Sequence, residues 1–156
     1  MYRLLFIVLF FFIPSIASAH DDSRLERCLS YKEMITELLQ SEGVSSDYFY
    51  LAVCESGCKL KPSKAGARGF FQLMGPAYRK YKPDDCSKDD INDVRCNTVA
   101  AARYIKHLQQ RFHTMSEVIY AYNMGGHNYE RRGEPTQDAK GLSWCVQHRV
   151  KLYSSK

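Results

Sequence analysis

The chain has 156 residues, with 22 Lys or Arg against 17 Asp or Glu, for a net charge of +5. That length is the size of one domain. Mild positive charge suits an anionic wall polymer or a membrane surface, whereas the scatter of the basic residues along the chain argues against nucleic acid.

Residues 1–19 have the layout of a secretory signal. Arg3 supplies the positive start, Leu4 to Ile13 is an unbroken apolar run, Pro14 and Ser15 interrupt it, and Ala17-Ser18-Ala19 forms a small-x-small cleavage site. A membrane span needs roughly 20 apolar residues, about twice what this run offers, so no stable span is expected once the signal is cleaved. The mature domain is then 20–156 and carries all six cysteines, Cys28, Cys54, Cys58, Cys86, Cys96 and Cys145. An even count in an exported chain points to disulfides. Cys86 and Cys96 bracket a short acidic loop and are the best-placed pair; the spacing leaves the others open. Neither CxxC nor HxxxH occurs, so no metal site is expected.

From Ser23 the pattern turns helical. Leu25, Cys28, Leu29, Met34, Ile35, Leu38 and Leu39 follow the i, i+3, i+4 rhythm of one buried face. Ser23 is the expected cap, with Glu26 completing a capping box, and Gly43 is the expected stop. A second helix starts near Ser45 or Ser46, is filled by Tyr48, Phe49, Leu51, Ala52 and Val53, and ends at Glu55. Gly57 to Gly69 reads as a loop, and a short helix through Tyr78 follows Gly75-Pro76. The segment from Lys82 to Asp93 is rich in acids and reads as a surface loop. A long helix runs from Asp93, its N-cap, to Phe112, and another from Ser116 to Asn123. Gly133 to Gly141 is loop-like, and a last helix covers Ser143 to Tyr153. β-Alternation is missing throughout, so the expected class is all-α: a single small domain of roughly five to seven helices.

The segment from Cys54 to Gln72 carries the chemistry. Glu55 is its only acid, Lys59, Lys61, Lys64 and Arg68 crowd the same stretch, and Gly57, Gly66 and Gly69 let the backbone fold back toward the carboxylate. A helix C-terminus is electronegative and disfavours an ionised carboxylate placed there. One acid followed by a Gly-rich, polar turn points to acid/base work more than to a nucleophile triad.

Three motifs stand in order: Glu55-Ser56; Gly66-Ala67-Arg68-Gly69-Phe70-Phe71-Gln72-Leu73-Met74; and Ala121-Tyr122-Asn123-Met124-Gly125. They resemble the Glu-Ser, Gly-Leu-Met-Gln and Ala-Tyr-Asn-x-Gly motifs of the soluble lytic transglycosylase domain family, over roughly Cys28 to Arg131. Two departures stand out. Phe70-Phe71 replaces the usual Leu-Met, and Cys58-Lys59-Leu60 replaces the usual Phe-Asn-Pro in a loop one residue shorter. The resemblance implies a lysozyme-like helical fold that acts on peptidoglycan glycan strands. It implies cleavage of the β-1,4 bond between N-acetylmuramic acid and N-acetylglucosamine, leaving a 1,6-anhydromuramic end, with no cofactor. It implies Glu55 as general acid and then base. Ser56, Phe71, Gln72, Tyr122 and Asn123 would orient the acid or hold sugar, with Val53, Phe70, Phe71 and Tyr122 as its apolar shield. A periplasmic or wall location follows. A lone catalytic domain behind a signal is similar in architecture to enzymes that serve a secretion, conjugation or pilus apparatus. The competing readings are a goose-type lysozyme-like hydrolase and a wall-binding module without activity.

Overall fold

The computed structural model describes residues 16–154, with side chains from Ser23 onward. Most of the expected signal, residues 1–15, lies outside the described residues. Eight α-helices and two single 3-10 turns make up the described chain, which has no strand beyond one isolated bridge between Arg68 and Leu73. The all-α expectation holds.

The first expected helix is two. α1 (Ile16–Leu29) and α2 (Lys32–Ser41) are separated by a turn at Ser30-Tyr31, closed by a bond from the Tyr31 N–H to the Cys28 carbonyl at 3.0 Å. The break resets the helical phase. Cys28, Ile35 and Leu39 are fully buried, but Leu29 and Met34, placed on the same face by a continuous count, are solvent-exposed. Ser23 lies inside α1 and is not its cap, because the helix begins well upstream. Gly43 does stop α2. At φ 78° it lets the Val44 N–H reach the Leu39 carbonyl, closing a Schellman-type end.

Ser45 accepts a bond from the Asp47 N–H and caps the 3-10 turn Ser46–Tyr48, which runs directly into α3 (Phe49–Glu55). Every residue of α3 from Phe49 to Cys54 is buried. A helix apolar on all faces must sit inside, and α3 is packed by α1, α2 and α8. Two of its links are covalent. Cys54 joins Cys145 of α8, and Cys58, just past the end of α3, joins Cys28 of α1. The carbonyls at the C-terminal end of α3, which have no partner within the helix, are met by α1: Arg24 donates to the Cys54 carbonyl and Arg27 to the Gly57 carbonyl, each at 3.2 Å. The buried Arg149 places Nη1 against the Cys54 and Cys145 sulfurs. The third disulfide is the expected Cys86–Cys96 pair.

α4 (Gly75–Tyr81) is short and carries Pro at its start. α5 (Val94–Gln109) is the long central helix, capped as expected by Asp93, which accepts from the Cys96 N–H at 2.8 Å. It ends before Phe112 because Gln110 bonds back at 3.3 Å to the His107 carbonyl in a tighter turn. α6 (Met115–Met124) begins one residue earlier than expected, because Thr114 and Glu117 form the capping box. α7 (Gly126–Arg132) starts where the glycines were expected only to end a helix. Part of the segment read as loop, Gly133 to Gly141, is helical: α8 (Gln137–Tyr153) is capped by Thr136, whose side chain accepts from the Ala139 N–H. The starts of α6 and α8 are set by side-chain caps, which the apolar rhythm does not report; α7 starts without one. α8 packs on α3 and α6, and α5 packs on α2, α4 and α6, so the C-terminal end of α3 opens between α4, α5 and α6.

Candidate active site

Glu55, the last residue of α3, faces a cleft of about 670 Å3. Gln72 and Leu73 from the second motif, Met74 and Ala77 at α4, Tyr104 of α5 and Tyr122 and Asn123 of α6 line it. Burial alone pushes the Glu55 carboxyl up to about 7 from an ordinary 4.5. Desolvation is the direct consequence of where α3 ends: a carboxylate brought to the edge of an apolar core loses the water that would stabilise its charge. At neutral pH the group therefore lies near its midpoint, where it can both give and take a proton.

The second motif is a tight turn. Arg68 and Leu73 exchange two backbone bonds at 2.9 Å each, with Gly69 at φ 75° and Gln72 at φ 50° inside the turn. Asn97 of α5, fully buried, fills it. Its Oδ1 accepts from the Phe71 N–H at 3.0 Å, and its Nδ2 donates to the carbonyls of Ile91 at 2.9 Å and Arg68 at 3.3 Å. A Cβ on Gly69 would lie 2.2 Å from Asn97 Nδ2 and 2.6 Å from the Ile91 carbonyl, so only glycine fits. Asn97 did not emerge from the sequence, because a lone Asn within a helical run carries no local signal.

The expected residues divide into two groups. Glu55, Gln72, Tyr122 and Asn123 come together on the cleft. Gln72 is pinned there by Nε2, which donates at 2.9 Å to the Gly69 carbonyl and at 3.3 Å to the Lys61 carbonyl. Tyr122 donates its hydroxyl to the Phe71 carbonyl at 2.7 Å, and burial first, then the charge of Glu55, holds its phenol well above the usual range. Ser56 and Phe71 stand behind the cleft and do not line it. Ser56 donates to the Phe70 carbonyl at 2.8 Å and so ties the end of α3 to the second motif. The Phe71 side chain is fully buried in the core. It follows the pinning of its own N–H by Asn97 and its carbonyl by Tyr122, which fixes the ring inward. Val53 and Phe70 are core residues as well.

Two cleft residues are additions to the sequence reading. Tyr104 stands with its ring 5.2 Å from that of Tyr122 and 5.2 Å from that of Tyr81, extending an aromatic row from α6 to α4. Asp138, in the first turn of α8, is a second carboxylate on the same cleft. Four other acids are engaged elsewhere: Asp85 pairs with Arg95, Asp90 accepts from the Ser87 N–H, Asp93 caps α5 and Glu117 caps α6. Among the described residues no group of His, Cys, Asp and Glu could hold a metal ion.

The described chain is thus an all-helical scaffold that brings a desolvated acid to an aromatic, amide-lined cleft. A family model for the transglycosylase SLT domain matches residues 33–144, well over half of the chain. The chain belongs to that family, which has the lysozyme-like helical fold and acts on peptidoglycan with lytic transglycosylase-type chemistry. Searches of curated proteins and of solved structures returned no match.

Proposed function

We propose that the protein is a lytic transglycosylase in which Glu55 alone does the proton chemistry. A glycosidic oxygen is a poor leaving group and requires a proton in the transition state. Protonated Glu55 gives its proton to that oxygen as the bond from muramic C1 breaks. The C6 hydroxyl of the same sugar attacks C1, and its proton passes to the Glu55 carboxylate. The products are a 1,6-anhydromuramic end and a free 4-hydroxyl, with the enzyme returned to its starting state. The observation that carries this reading is the place of Glu55, at the buried end of α3 and facing the cleft with Gln72, Tyr122 and Asn123; burial pushes its carboxyl up to about 7, which suits a group that must be acid in the first half and base in the second. Gln72 and Asn123 offer amides to sugar, Tyr104 and Tyr122 a ring wall, and Ser56 and Phe71 hold the acid and the motif turn in register.

Asp138 supports a second reading, hydrolysis, in which a second carboxylate activates water. Export fits both: the signal over residues 1–19, the three disulfides, and a described chain with no helix long and apolar enough to cross a membrane. Local wall opening for a secretion, conjugation or pilus apparatus is the role we assign to it, by analogy of architecture. The test is Glu55→Gln on purified peptidoglycan. Lysis should fall by about 10²–10⁴-fold, the range for loss of a general acid. Undiminished lysis would remove Glu55 from the chemistry, and binding without lysis in the unmodified protein would leave a wall-binding module.

A further inference from the structure

The cleft does not end at Asn123. Next to it lies a second hollow of about 600 Å3, which shares Asn123, Met124 and Asp138 with the cleft and adds Asn128, Arg131 and Arg132 of α7. Both arginines sit in the last turn of α7, where the helix end favours cations. Arg131 Nη2 donates to Asn128 Oδ1 at 3.2 Å, and Arg132 Nη2 is 3.9 Å from Glu134. A guanidinium carries five N–H donors, so one contact each leaves most of the fork for a ligand. An exposed pair of that length is weak and readily exchanged. Two arginines and the single Asp138 line the hollow where it meets the cleft, and Glu134, beside Arg132 at its edge, does not line it.

The chemistry of the polymer says what such a hollow would take. In strands that carry stems the sugars are uncharged, because the lactyl carboxyl of muramic acid is held in the amide bond to the stem. The negative groups of such a strand at neutral pH are free carboxylates on the peptide stems carried by muramic acid. A muramoyl residue held beside Glu55 must put its stem somewhere next to the cleft, and planar guanidinium forks match carboxylates in bidentate pairs. We propose that the Arg131–Arg132 hollow is a subsite for the stem-peptide carboxylates, which makes the enzyme favour peptide-bearing over bare glycan. This rests on the reading of the cleft as a glycan site.

The experiment compares glycan strands that carry their stems with the same strands stripped by an amidase and then amidated at the lactyl carboxyl that stripping exposes, using the mature protein and the double variant Arg131→Gln/Arg132→Gln. The quantity read is the ratio of kcat/KM on the two substrates. Loss of charge-assisted contacts should lower that ratio by about tenfold, through KM on the stem-bearing strands, while Arg131→Lys/Arg132→Lys retains part of it. A ratio equal to that of the unmodified protein would overturn the subsite. Equilibrium binding of the two strand types in a Glu55→Gln background gives the same comparison without turnover. Absence of cleavage by the unmodified protein would therefore count against the proposed function, while the binding ratio would still decide the subsite. Both arginines are exposed, and an unchanged melting temperature in the double variant confirms that folding is not what moved.

Discussion

Replacing Glu55 with Gln should stabilise the protein, and by an amount that grows with pH. Below about pH 4.5 the carboxyl is protonated in the folded and the unfolded chain alike, and its burial carries no charge penalty. Between 4.5 and about 7 the unfolded chain releases a proton that the folded chain keeps, so folding stability is lost as pH rises through that window. At one pKa unit per 1.36 kcal/mol, the full shift corresponds to roughly 3 kcal/mol at about pH 8. Glu55 keeps part of its surface in the cleft, so roughly 1.5–3 kcal/mol is the expected gain for the isosteric amide. Urea unfolding of both proteins at about pH 5 and about pH 8 reads this as a double difference, in which every other titrating group cancels. The gain should be small at the lower pH and large at the higher. An equal difference at the two values, or a Gln variant that is the less stable at high pH, would refute the claim that Glu55 is held protonated by desolvation.

Further outcomes follow from the same structure. Gly69→Ala forces a Cβ onto Asn97 and the Ile91 carbonyl at a positive φ, and should cost about 2–4 kcal/mol together with the activity, measured by denaturation and wall lysis. Asn97→Ala leaves the Phe71 N–H and the Ile91 carbonyl without the Asn97 side chain, while the Arg68 carbonyl keeps its bond from the Leu73 N–H; a loss of about 2–4 kcal/mol in urea unfolding is expected. Opening the Cys54–Cys145 bridge by double Ala substitution releases a constraint between residues 91 apart in sequence, worth about 3–5 kcal/mol in a loop-entropy account, and should lower the melting temperature accordingly. Asp138→Asn separates the two chemistries: kcat should change by less than about tenfold in the single-acid scheme, against the 10²–10⁴-fold loss expected if Asp138 were the base.

The parts of this fold that were legible in sequence are those written locally. The Asp93 cap, the Gly43 stop and the Cys86–Cys96 pair each lie within about ten residues of what they act on, and Glu55, Gln72, Tyr122 and Asn123 carry motif spacing. What escaped depends on contacts between distant segments. Asn97 meets Phe71 across 26 positions, and Arg24 and Arg27 reach α3 across 30. Asp138 joins the cleft only because α8 packs on α6. The resemblance places Phe71 both among the residues that orient the acid or hold sugar and in the apolar shield of Glu55. The burial of Phe71 instead follows from two backbone bonds made by Asn97 and Tyr122, partners that no local pattern names. The α1–α2 break was missed for a related reason: apolar spacing continued through Ser30-Tyr31 although the backbone did not, and Tyr31 turns its ring edge-on to Phe70 at 4.9 Å.

The central claim is that one acid serves both halves of the reaction and that the sugar's own hydroxyl replaces water. Mass spectrometry of the muropeptides released from purified peptidoglycan by the mature protein tests it directly. Fragments lighter by one water and ending in anhydromuramic acid are the predicted result. Reducing-end fragments would contradict it and shift attention to Asp138 as the group that activates water.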